Sequence, residues 1–134
     1  MDLTYTAQLP TEADLHKFYE ALWNDFLKLS PQQLLTAMKQ SFYSIYVYAG
    51  GELVATGRVV SDGVINAYIC GVGVLPEHRG KGIGTEIMDR LKAHCLSQGL
   101  HVQFFCEEEL VPFYEKIGFA KFACGMKLLL PDSL

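Results

Sequence analysis

The stretch "PEHRGKGIGTEIM", residues 76–88, decides how this chain is read. Gly80, Gly82 and Gly84 alternate with Lys81 and Ile83, and Arg79 stands just ahead of them. Behind the glycines the pattern is helical. Ile83, Ile87, Leu91 and Cys95 recur every four residues with Met88 beside them, while Glu86, Asp89, Arg90 and Lys92 take the other faces. Ahead of them, residues 64–75 are rich in Val and Ile and read as a strand. The glycines therefore stand where a strand hands over to a helix. The first N–H groups of a helix have no internal acceptor and the helix dipole is positive there, so such a junction is a ready anion site. Glycine lets backbone approach phosphate oxygens closely, at a local cost of roughly 0.5–1 kcal/mol per residue relative to alanine. The same residues also make a flexible surface turn. Known phosphate loops narrow the choice. The Walker spacing GxxxxGK followed by Ser or Thr is absent. The dinucleotide spacing GxGxxG fails because its last glycine would fall on Thr85 or on Ile87.

Working outward, residues 3–8 read as a first strand. Thr11 is a candidate N-cap for a helix with an apolar stripe of Leu15, Phe18, Tyr19, Leu22, Trp23 and Phe26. "SPQQLLTAMKQ" starts a second helix with Ser30 as N-cap, Pro31 at the first helical position and Gln33 closing a capping box. Residues 42–49, 52–61 and 64–75 form a three-stranded antiparallel meander. Gly50-Gly51 and Ser61-Asp62-Gly63 are its turns. Gly99 stops the central helix, and "LHVQFFC" follows as a strand parallel to the one before that helix, because a helical crossover joins them. Residues 108–117 read as a short helix, and "FAKFACGMKLLL" as one or two closing strands. The expected fold is α/β, a mixed sheet of six to seven strands with helices on both faces, in one domain spanning residues 1–134.

Half the residues are apolar and 19% are charged, which fits a packed domain and excludes a disordered tail. The net charge of −4 argues against a nucleic-acid surface and suits cationic small molecules as well as it suits an ordinary acidic domain. Cys70, Cys95, Cys106 and Cys124 form no CxxC pair and no zinc-finger spacing, so no metal is expected. No basic and apolar leader opens the chain, and no run is long enough to span a bilayer. A soluble, reduced, cytoplasmic protein without a membrane partner is expected.

Arg79, Gly82 and Gly84 fit the pattern Gln/Arg-x-x-Gly-x-Gly/Ala after a V-x-V strand end, Val72 and Val74. Together with "PFYEKIGF", residues 112–119, they resemble the pyrophosphate loop and the late "LYEKLGF" segment of the GCN5-related N-acetyltransferase (GNAT) superfamily. The resemblance covers nearly the whole chain. It implies a sheet splayed between its fourth and fifth strands, with the pantetheine arm of acetyl-CoA in the gap. It assigns cofactor binding to Val72, Val74, Arg79, Gly80, Lys81, Gly82, Ile83, Gly84 and Thr85. The N–H of Val72 would also face the acetyl carbonyl, which makes it catalytic, and Tyr114 matches the family's general acid. The implied reaction is direct attack of a neutral primary amine on the thioester, with a small-molecule amine as partner and a homodimer as a family habit.

The base is not assigned. Tyr68 and Cys70 stand where some relatives carry Glu or His, Gly71 stands where a related subgroup carries Asp, and Cys70 would need a lowered pKa. Glu107, Glu108 and Glu109 complement a helix start or attract an ammonium. His78 lies in the loop and is expected to be exposed. His16, His94 and His101 are read as structural. Aromatic material for an acceptor wall comes from Phe18, Tyr19, Trp23, Phe26, Phe42, Tyr43, Phe104 and Phe105. The "RVVSDG" hairpin, residues 58–63, resembles arylalkylamine-acetyltransferase-like members. Acetylation of a protein lysine or N-terminus, and a non-catalytic acyl-CoA-binding sensor, stay open as alternatives. A structural domain whose glycine turn binds nothing is the third.

Overall fold

A computed structural model describes residues 2–23 and 28–131. They fall into two compact units that meet between Phe104 and Phe105 in the sequence. The first holds β1 (Leu3–Thr6), α1 (Glu12–Trp23), α2 (Pro31–Lys39), β2 (Tyr43–Ala49), β3 (Glu52–Ser61), β4 (Asn66–Val74), a 3-10 turn (Pro76–His78), α3 (Ile83–Ser97) and β5 (His101–Gln103). The second holds a 3-10 turn (Glu108–Leu110) and α4 (Val111–Glu115).

The helix starts follow from their caps. Thr11 accepts the N–H of Asp14 at 3.1 Å, and Ser30 and Gln33 form the reciprocal capping box, at 3.1 and 2.9 Å. Such caps stabilise a helix by about 1 kcal/mol. The stripe of α1 buries Leu15, Phe18 and Tyr19; Phe26 lies outside the described residues. In α3, all five apolar residues of the expected stripe are buried. Fully burying such side chains contributes about 1.5–3 kcal/mol each. On its exposed side, Glu86 and Arg90 pair at 2.7 Å.

The sheet runs β1-β2-β3-β4-β5, antiparallel through β4, with β5 parallel to β4 across the α3 crossover. Two glycines set how closely the helices sit. A Cβ on Gly73 would stand 2.6 Å from Leu22 and Trp23 of α1, and one on Gly57 would stand 2.5 Å from Ile87 of α3. Gly73 pairs with Thr56, the neighbour of Gly57, and successive strand residues face opposite ways. Thus α1 and α3 pack on opposite faces, each almost on the backbone.

The strand count is corrected. Five strands are found among the described residues, not six to seven, because residues 120–130 take no strand conformation. Their apolar side chains stay in solvent, Met126 at 88% and Leu128 at 82% exposure. Apolar alternation creates a strand only where an edge is there to pair with. The fifth strand is also shorter than residues 101–106, and the first ends at Thr6, whose hydroxyl turns the chain by accepting the N–H of Gln8.

The fourth strand starts at Asn66 rather than at residue 64, and Asp62 is the cause. One of its carboxylate oxygens accepts the N–H groups of Val64, Ile65 and Asn66 at 2.9, 2.8 and 3.3 Å. These bonds, that to Ile65 foremost, hold the Asp62 carboxyl below its usual pKa. A depressed native pKa stabilises the fold above the unfolded value, about pH 4, and the effect fades as pH falls through the native value. Asp62→Ala should therefore lower the melting temperature at pH 7 by a few degrees, roughly the cost of one cap. That deficit should shrink at pH 3, as calorimetry at the two pH values will check.

Candidate active site

The site begins where β4 and β5 part. Their pairing ends at Tyr68 opposite Gln103, while β4 runs on to Val74. On its other edge β4 carries a bulge. Thr56 pairs with Gly73 and Arg58 with Cys70, so Gly71 and Val72 together oppose the single residue Gly57. Gly71 takes φ +61°, the left-handed conformation that such a bulge needs and that glycine adopts without strain. Its carbonyl accepts the Thr56 hydroxyl at 3.1 Å. Leu75 gives its N–H to Val54 across β3 at 2.9 Å. Alternation then turns the N–H groups of Val74 and Val72 the other way, toward the edge from which β5 has withdrawn. β5 itself ends at Gln103, so among the described residues the rest of β4 has no strand partner on that edge.

Beyond β4 the 3-10 turn spends the N–H of Arg79 on Pro76 at 3.2 Å, so that group is not free for a ligand. The Arg79 side chain folds back and gives Nε–H to the Val74 carbonyl at 3.0 Å. Gly82, at φ +79°, is the N-cap of α3 and has no side chain to offer. The first helical bond runs from the N–H of Glu86 to Gly82, which leaves those of Ile83, Gly84 and Thr85 without a helical acceptor. α1 and α2 satisfy the same positions with side chains and α3 does not. Lys81 and Arg79 are exposed beside these donors, whereas the Ile83 side chain is buried and offers only backbone.

Tyr114 belongs to the second unit, on α4, where its ring meets Phe113 and Phe119 edge-on at 5.1 and 6.4 Å. Burial, then the nearby Cys106, pushes its phenol pKa above the ordinary value. Glu108 in the same unit pairs with Lys121 at 3.0 Å, while Glu107 and Glu109 are exposed.

Two readings of titratable residues change. Burial raises the Cys70 thiol pKa, against a smaller lowering by Arg58, so Cys70 holds its proton and does not meet the condition for a base. Tyr68 is likewise raised by burial. His78 is buried at 8% exposure, not exposed, and its Nδ1 has no hydrogen-bond partner. His94 stacks on Tyr43 with ring centroids 3.8 Å apart, which suits a structural part. Among the described residues no cluster of His, Cys, Asp and Glu could hold a metal ion, and no helix is long and apolar enough to cross a membrane.

Of the aromatic candidates, Phe18, Tyr19 and Trp23 form one cluster at 4.9–5.9 Å, with Phe18 and Tyr19 committed to the core. Phe105 is 67% exposed and Phe26 lies outside the described residues. Arg58 was read only as part of a hairpin. It stands on the α1 face of the sheet beside the bulge, and a lone arginine within the apolar strand "ELVATGRVV" is the signal that could have marked it.

The whole arrangement has known counterparts. A profile of the acetyltransferase (GNAT) family matches residues 12–119. Serotonin N-acetyltransferase 2, chloroplastic, from Oryza sativa subsp. japonica is 37% identical over 73 residues, which cover 54% of this chain and 36% of that protein. An acetyltransferase structure from Trypanosoma brucei superposes with a TM-score of 0.78 at 25% identity, covering 96% of this chain and 100% of that one. A predicted acetyltransferase from Clostridium acetobutylicum, solved with acetyl-CoA, superposes with a TM-score of 0.68 at 17% identity, covering 96% of each chain. The chain spans less than half the length of the curated relatives it matches. With a glycine-capped helix after the fourth strand and a family match across most of its length, this chain belongs to the acetyltransferase (GNAT) family.

Proposed function

We propose that residues 1–134 act as one acetyltransferase domain, which moves the acetyl group of acetyl-CoA to a primary amine of a small molecule. The observation that carries this reading is the pair of outward N–H groups on β4, Val72 and Val74, running into the uncapped start of α3. The Val74 N–H suits a pantetheine amide. The N–H groups from Gly80 to Thr85, with Arg79 and Lys81, suit the pyrophosphate. The family match runs across the division between the two units, which supports a single working domain.

In this mechanism the amine nitrogen attacks the thioester carbonyl carbon. The Val72 N–H stabilises the oxyanion that forms, an effect worth a few kcal/mol where such a donor is preorganised. As the C–S bond breaks, Tyr114 gives its proton to the leaving thiolate and recovers one from the amine through solvent. Its raised pKa keeps that proton in place at neutral pH. No side chain on β4 serves as base, so the amine arrives neutral. That same absence favours one other reading, an acyl-CoA-binding sensor without turnover. Stabilisation by acetyl-CoA without CoA release over a broad amine panel would select the sensor.

Gly82→Glu should abolish acetyl-CoA stabilisation in a thermal-shift assay while the far-UV circular dichroism spectrum is retained; unchanged affinity defeats the loop assignment. Tyr114→Phe should lower kcat about a hundredfold, with acetyl-CoA affinity held within about twofold. Unaltered turnover removes Tyr114 from the mechanism. Iodoacetamide at pH 7.5 should label the exposed Cys106 and Cys124 well before Cys70 and Cys95, as peptide mass spectrometry will read. Fast labelling of Cys70 would restore it as a base.

A further inference from the structure

A bulge takes an extra residue out of the ladder, and its peptide groups need partners from elsewhere. In β4 the peptide that joins Gly71 to Val72 lies in that extra length, between the paired positions Cys70 and Gly73. Its carbonyl finds a partner in the Thr56 hydroxyl of β3, at 3.1 Å. Thr56 is 2% exposed, in a stretch whose other buried residues, Leu53, Val54, Ala55 and Val59, are apolar. Valine has nearly the same shape and suits a strand as well. What threonine adds at this position is one hydroxyl, and that hydroxyl is given to the Gly71 carbonyl. The bond lies beneath α1, whose buried Tyr19 has its hydroxyl oxygen 3.6 Å from where a Gly71 Cβ would stand, so water competes little for it.

The Gly71 carbonyl and the Val72 N–H are the two ends of one peptide unit. No peptide bond among the described residues is cis, and in a planar trans unit the two groups point in opposite directions. Glycine is the residue least able to hold a peptide plane by itself, so the bulge gains its anchor from β3. Fixing the carbonyl toward Thr56 fixes the N–H away from it, toward the edge at which the proposed mechanism sets the acetyl carbonyl. The same bond also polarises the amide. A carbonyl that accepts a hydrogen bond makes the N–H of its own unit a better donor, a cooperative gain of about 10–30% per bond.

We propose that Thr56 is a positioning residue for acetyl transfer: by holding the Gly71 carbonyl, its hydroxyl aims and strengthens the Val72 N–H that meets the thioester oxygen. This rests on the acetyl-transfer reading of the β4 edge and names what prepares its oxyanion donor. Thr56 touches neither substrate nor reacting atoms. It acts through the peptide, so its effect falls on the chemical step and leaves the grip on the carrier alone.

Infrared difference spectra of the full chain, with acetyl-CoA unlabelled and isotopically labelled at the acetyl carbonyl carbon, isolate the thioester carbonyl band. In the wild type that band should lie below its position for free acetyl-CoA. In Thr56→Val it should return part of the way, and in Thr56→Ser, which keeps the hydroxyl, it should stay at the wild-type position. Thermal stabilisation by acetyl-CoA should be the same in all three. On the amine that the wild type acetylates fastest in a broad panel, Thr56→Val should lower kcat about tenfold with KM for acetyl-CoA held within about twofold, and Thr56→Ser should restore most of it. A purely structural bond would lower the melting temperature of Thr56→Val and leave its band and kcat in place. That result overturns the proposal and leaves the acetyl-transfer reading intact, as does a band that moves in Thr56→Ser. If the valine variant does not fold, the serine variant decides, an unmoved band supporting the proposal and a moved one overturning it. If no amine is turned over, the band alone decides. A wild type that acetyl-CoA does not stabilise, or whose bound carbonyl band is unshifted, defeats the acetyl-transfer reading and the proposal with it.

Discussion

Backbone donors that the sheet does not use organise this molecule. A β-strand must place its N–H groups somewhere, and buried ones left unpaired are costly. β4 satisfies its inner edge through β3 but loses β5 after Tyr68. The glycine bulge at residue 71 keeps the next residues in register with β3 while Val72 and Val74 point to the vacated edge. α1 lies almost on β4 because Gly73 has no side chain, and α3 lies almost on β3 because Gly57 has none.

The helix starts show the same economy. α1 and α2 are closed by Thr11 and by the Ser30–Gln33 box, which spend side-chain oxygens on their first N–H groups. α3 opens on Gly82 and spends nothing. Its stability comes instead from a fully buried apolar stripe, so the unsatisfied end can be tolerated. One helix is thus held by its flank and left open at its tip.

Much of this was legible in the sequence, and the reasons are particular. Periodicity located α3 and its five buried residues, because one amphipathic face reports burial directly. Capping residues placed α1 and α2. The glycine spacing with "PFYEKIGF" pointed to the family that the profile match supports. What escaped was whatever depends on a partner distant in sequence. Residues 120–130 have a strand's alternation, yet pairing needs an edge that alternation cannot supply. Val64 and Ile65 read as strand, but the Asp62 carboxylate, two and three residues away, captured their N–H groups. His78 looked like an exposed loop residue and is buried. Arg58 was unremarkable until the fold set it beside Gly71.

The hydrogen bond from Arg79 to the Val74 carbonyl has a geometric consequence. It ties the turn that precedes α3 to the last residue of β4 and so helps hold the two together. On the acetyl-CoA reading proposed above, a long ligand that engages both would meet a spacing that this bond helps to set. Carriers whose flexible arm is a few bonds too short or too long would place their reactive carbon off the mark by that difference, whatever the strength of their phosphate grip.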